Sequence, residues 1–134
     1  MKKKITVYTN KTCSYCNIIK ENLKKSSIKF TEIDIVECKD IWDNVKDLTA
    51  NPITPTIEIN NEFLLPGRDF INPQSLIEII SNFKDSQYNE NRRVLELIKT
   101  LNYNTYTAFS RLNGLLQQIE NKLNKEENEH KSTS

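Results

Sequence analysis

The 134 residues allow one domain with a core of its own plus an appendage, and leave no room for two full domains. With 19 basic and 18 acidic residues the net charge is +1, which excludes the strong field that draws a chain to nucleic acid, an anionic membrane or an acidic substrate. The basic start, MKKKITVYT, offers only Ile5 to Tyr8 before polar residues resume, against the roughly 7 to 15 apolar residues of a secretory signal. No apolar run approaches the roughly 20 residues of a membrane span, so the chain reads as soluble and cytosolic.

In chain order, KITVYT is a short run of β-branched and aromatic residues, the pattern of a buried strand. SYCNIIKENLKKS places Cys16, Ile19 and Leu23 at helical spacing, with lysines near its end where they suit the helix dipole. IKFTEIDIV, with Phe30, Ile33 and Ile35, predicts a second strand. CKDIWDNVKDLTA carries Ile41, Trp42, Val45 and Leu48 on one face of a short helix. TPTIEIN and EFLLPG, joined by Asn60-Asn61, predict a hairpin. NPQSLIEIISNFKD predicts a helix with Pro73 in its first turn and Leu76, Ile77, Ile80 and Phe83 inward.

The resulting order, β-α-β-α-β-β-α, implies a parallel strand pair closed by right-handed crossovers, extended by an antiparallel hairpin and covered by helices. Residues 1 to 85 suffice for it. Residues 88 to 127 form a separate helical extension, whose Val94, Ile98, Leu101, Thr105, Ala108, Leu112, Leu115 and Ile119 alternate spacings of four and three. Asn102 and Asn104 mark an expected break into two helices. Residues 128–134 are expected to be a disordered tail.

Cys13 and Cys16 are two of only three cysteines, and they fall where the first strand gives way to the first helix. Residues three apart share a helix face, within the Cα separation of about 4.4 to 6.8 Å that a disulfide needs. Cys13 would sit against the free amides of the helix N-terminus, an environment that lowers a cysteine pKa from about 8.5 toward neutrality or below. That makes Cys13 the nucleophile and the more enclosed Cys16 the resolving thiol. A zinc site lacks ligands, because only Cys38 and His130 remain to complete it. Cys38 reads as an ordinary half-buried residue, and His130 in a charged tail has no catalytic claim.

ITVYTNKTCSYC, the later TPT and the segment LLPGRDF together resemble a dithiol glutaredoxin, a thioredoxin-fold family, over residues 1 to 85. Cys13-Ser14-Tyr15-Cys16 stands where the family carries Cys-Pro-Tyr-Cys or its serine variant. The resemblance implies that Thr54-Pro55 is the family's cis-proline site beside the catalytic pair. It also implies a glutathione-binding role for Lys11, Tyr15, Thr54, Pro55, Gly67, Arg68 and Asp69. Two departures stand out. The family's Gly-Gly-x-x-Asp segment is here Pro66-Gly67-Arg68-Asp69-Phe70, with one glycine missing, and the basic residue expected three positions before the first cysteine is Asn10, with Lys11 one step later.

The function implied is glutathione-dependent thiol-disulfide exchange on protein disulfides and glutathione mixed disulfides, with glutathione as co-substrate and no resident metal. Two alternatives stand beside it: a [2Fe-2S] cluster held between two subunits by the first cysteine and glutathione, and a glutathione-independent redoxin serving one reductase. Partners are expected among disulfide-containing or glutathionylated proteins. The helical extension is expected to dock on the redoxin domain, to self-associate, or to bind a target.

Overall fold

The first strand explains the rest of the architecture. All five residues of β1 (Ile5–Thr9) are buried, so both of its faces must be covered and both of its edges paired. The computed structural model, which describes residues 3–84 and 91–132, satisfies both demands. Strand β2 (Thr31–Asp34) lies parallel to β1, reached through helix α1 (Ser14–Lys25), while β3 (Thr56–Ile59) lies antiparallel on the other side and hairpins into β4 (Glu62–Leu64). The strand order is β2-β1-β3-β4. With helices α2 (Lys39–Thr49) after β2 and α3 (Pro73–Ser81) after β4, this is the expected thioredoxin fold.

Two cores divide the faces by residue parity. Ile5, Val7, Ile57, Ile59 and Leu64 face one way, and pack with Ile19 and Leu23 of α1 and with Leu76 and Ile80 of α3. Tyr8, Phe63 and Leu65 face the other way, and pack with Trp42 and Val45 of α2. Full burial of each such aliphatic side chain stabilises by about 1.5–3 kcal/mol relative to exposure. Asn60 turns the β3–β4 hairpin at φ 54°, a left-handed conformation that asparagine tolerates, and its side chain accepts from the Lys4 amide. Ile41, expected inward, is exposed on α2.

The last helix departs most from expectation. Helix α4 (Arg92–Ser132) runs through Asn102 and Asn104 without a break and continues into the segment expected as a tail. Interior asparagine costs a helix well under 1 kcal/mol per residue, too little to break it by itself. The expected start of the extension at Tyr88 lies outside the described residues, as do residues 133 and 134. Two compact units result, Met1–Thr100 and Leu101–Ser134, so the first unit takes in the opening turns of α4 and does not end near residue 85.

The reason is polar. Val94 and Ile98, expected on a buried seam, are exposed, while Glu96 and Thr100 are buried. Strand β4 is a sheet edge, and its Phe63 directs a backbone N–H and C=O away from β3. Unpaired edge groups of this kind need partners. The Phe63 N–H donates to Glu96 Oε1 at 2.9 Å, and its carbonyl accepts from Lys99 Nζ at 2.7 Å and Arg68 Nη2 at 2.9 Å. Arg92 lies 4.6 Å over the Phe63 ring and donates to Glu58, whose other oxygen accepts from the Tyr8 hydroxyl. The opening of α4 thus closes the edge of the sheet with side-chain charges.

Candidate functional site

The chain leaves β1 through a tight turn. The Asn10 side chain accepts from the Thr12 amide and hydroxyl, and the Asn10 carbonyl accepts from the Cys13 amide at 3.0 Å. That geometry delivers Cys13 as the N-cap of α1, with extended backbone angles, and its sulfur accepts from the Cys16 amide at 3.1 Å. An N-cap usually uses a side-chain oxygen for this task; here a thiol takes the place, so the helix end and the sulfur stabilise each other. No acidic residue stands in the first turn to oppose a negative sulfur.

The two sulfurs are held differently. Partial burial by itself raises the Cys13 pKa, but hydrogen bonds from Cys16, from Thr54 and from the backbone amides of Cys16 and Tyr15 together outweigh it and hold the thiol below its ordinary value. Cys16 is buried, and that burial, reinforced by the hydrogen bond and charge of Cys13, pushes its pKa up to about 11. Of the two thiols, Cys13 is thus the more readily ionised and Cys16 the less. All three cysteines are free.

Across from the pair, the Thr54–Pro55 peptide bond is cis, as the resemblance implied, and the Thr54 carbonyl lies 3.7 Å from the Cys13 sulfur. Pro55 is buried and leads directly into β3. Tyr15 is half-buried against the α1–α3 core, and burial raises its phenol pKa. Lys11 is exposed and pairs with Glu37 at 3.1 Å. Beside it, a polar cleft of about 430 Å³ opens between α1 and β2, lined by Lys11, Lys20, Asp34 and Glu37 among others. Neither cysteine lines that cleft.

Gly67, Arg68 and Asp69 stand differently from expectation. Gly67 has φ 84°, the left-handed region that favours glycine, and its N–H donates to the Phe70 carbonyl at 2.8 Å. The Asp69 amide donates to the Leu65 carbonyl, and the Asp69 carboxylate accepts from the Leu65 amide and Arg68 Nε, each at 2.8 Å. The Arg68 side chain is only 1% exposed and also donates to Glu96 at 2.6 Å and to Thr100. Arg68 is thus a structural cation and not an exposed ligand contact, and the amides of Gly67 and Asp69 already have partners. Of the three residues to which the resemblance gave a glutathione-binding role, Arg68 is sealed against Glu96 and Thr100, while hydrogen bonds of Gly67 and Asp69 close the loop.

Residues 5–64 match the family model described as Glutaredoxin. This stretch is a glutaredoxin-family domain. The match includes both cysteines and the cis-proline turn but stops at Leu64, just before the loop whose polar groups are turned inward. Among solved structures, the thioredoxin-like protein BC3987 is 26% identical, covering 57% of this chain and 99% of that one at a TM-score of 0.48. A point mutant of the same protein gives 25% identity, the same coverage and a TM-score of 0.49. No match was found among curated proteins.

Cys13 and Cys16 stand at the start of α1, where the sequence placed them, whereas nothing in the sequence singled out Glu96, Lys99 and Thr100. Only Arg68, a cation in a loop that closes on its own aspartate, hinted that a buried acid was needed elsewhere. Among the described residues no three His, Cys, Asp or Glu side chains gather as metal ligands, and no helix is long and apolar enough to cross a membrane.

Proposed function

We propose that the chain is a dithiol oxidoreductase that reduces protein disulfides and glutathione mixed disulfides, with glutathione as its electron donor. One observation carries the reading: Cys13 caps α1 with its sulfur 3.1 Å from the Cys16 amide, partly open to solvent, while Cys16 is sealed beneath it. The Cys13 thiolate attacks one sulfur of the substrate disulfide; a Cys13–substrate disulfide forms and the other substrate sulfur leaves as thiolate. With Cys13 neutral in that adduct, two of the causes that raise Cys16, the hydrogen bond and the charge of Cys13, disappear. Cys16 then ionises more easily, attacks the Cys13 sulfur and releases the reduced product. Two glutathione thiols reopen the Cys13–Cys16 disulfide in turn and leave as glutathione disulfide. On a glutathione mixed disulfide Cys13 alone suffices.

The test is reduction of hydroxyethyl disulfide by glutathione and glutathione reductase with the unmutated chain, Cys13→Ser and Cys16→Ser. Loss of nearly all activity in the first variant and substantial retention in the second is expected. A second reading is favoured by the Arg68–Asp69 loop, whose amides and carboxylate are already engaged: a redoxin served by a dedicated disulfide reductase, without glutathione. Turnover with thioredoxin reductase but none with glutathione would select it.

A further inference from the structure

Residues 101–123 of α4 carry an apolar stripe without a partner inside their own unit. Phe109, Leu112, Leu115, Leu116, Ile119 and Leu123 are all more than half exposed. At 100° per residue these six fall within an arc about 120° wide. The helix under them is not a strong one, because Gly114, Asn102, Asn104, Thr105 and Thr107 all have low propensity. A helix of this kind owes its stability to packing of its apolar face.

Charge selects what covers the stripe. Residues 101–123 contain only three charges, Arg111, Glu120 and Lys122, and the face opposite the stripe is mostly amide and hydroxyl side chains such as Ser110, Gln117 and Asn121. That is not the lysine- and arginine-rich face of a helix that lies on an anionic membrane. The borders of the stripe are self-complementary instead. Written as heptads with Phe109, Leu116 and Leu123 at a and Leu112 and Ile119 at d, one border carries Lys122 at g and the other carries Glu120 and Glu127 at e. In a parallel arrangement the g border of one helix meets the e border of the next, so Lys122 faces Glu127 of a neighbouring copy. In an antiparallel pair overlapping along the same stripe g meets g and e meets e, so Lys122 faces the uncharged end of its neighbour's g border and that ion pair is absent.

The width of the stripe sets the number of chains. A two-stranded seam covers a and d and leaves Leu115, at g, in water. Leucine at a with isoleucine at d, as in Leu116 and Ile119, also favours three or four strands over two. Each interface then joins unlike borders, and a closed ring satisfies all of them. We propose that the stripe packs against copies of itself in a parallel bundle of three or four chains, which gathers as many Cys13 sites into one assembly. A substrate with several disulfides would meet them at a raised effective concentration.

The experiment is the mass of the reduced full-length chain by sedimentation equilibrium at micromolar concentration, with three or four chains expected. Leu112→Asp combined with Ile119→Asp is expected to give a monomer whose activity per Cys13 on a small disulfide is unchanged. Lys122→Glu is expected to weaken assembly about tenfold through facing acids, and Glu127→Lys in the same chain to restore it. A monomeric or dimeric unmutated chain overturns the proposal. So does a charge swap that fails to restore assembly, since restoration belongs to parallel neighbours.

Discussion

Two turns that lead from a strand toward a helix treat their polar groups in opposite ways. At residues 10–16 the donors converge on one sulfur that stays partly open, and their effect is a pKa held down at Cys13. At residues 65–70 the amides of Leu65, Gly67 and Asp69 are bound within the loop, and Arg68 is sealed under α4. Both turns hold residues to which the resemblance to a glutaredoxin gave a role, Cys13 in one and Arg68 and Asp69 in the other. Composition alone therefore does not separate a reacting turn from a supporting one; the destination of each hydrogen bond does.

The comparison can be broken most severely at Cys13. Cys13→Ser is expected to abolish disulfide reduction, whereas Arg68→Ala is expected to act chiefly on stability, which matched activity and urea-unfolding measurements would separate. Next comes Glu96→Ala. It leaves buried Arg68 with Asp69 as its remaining carboxylate and removes the acceptor of the Phe63 amide, so a loss of about 3 kcal/mol is expected in urea unfolding. Intrinsic reactivity of Cys13 toward a small alkylating agent should be unchanged in whatever fraction remains folded.

A smaller effect concerns pH. Cys13 is depressed in the folded chain, so its ionisation contributes stability that is fully present above the unfolded value of 9.0 and is lost as pH falls through the folded value. Cys16 is raised to about 11, so its contribution is fully present below 9.0 and is lost between 9.0 and about 11. Unfolding of the reduced chain should show the lower slope disappear in Cys13→Ser and the upper slope in Cys16→Ser. The smallest effect is expected at Lys11, whose pairing with Glu37 is exposed. Lys11→Ala should change kcat/KM for a mixed disulfide by no more than a few-fold.

Much of the first unit was legible because its signals are local. β-Branched runs gave β1 and β3, helical spacing of Cys16, Ile19 and Leu23 gave α1, and Asn60-Asn61 gave the hairpin. The placement of Cys13 at the start of α1 was legible for the same reason, since its sulfur accepts from the Cys16 amide only three residues on. Glu96 was not legible: its partners Arg68 and Phe63 lie 28 and 33 residues away in the chain. Periodicity pointed the wrong way there, because Val94 and Ile98 made an apolar pattern on the face that stays exposed while the polar face was buried. Loop 65–70 misled for a related reason, as Asp69 looks the same in sequence whether it faces a ligand or its own loop.

Titration of thiolate ultraviolet absorbance in reduced Cys16→Ser, with Cys38→Ser to remove the background, reads the state of Cys13 directly. Ionisation well below that of an ordinary cysteine, and absent from the matching Cys13→Ser chain, is the predicted result. An inflection near 9 would contradict the account, because the helix end would then do nothing for the sulfur it holds.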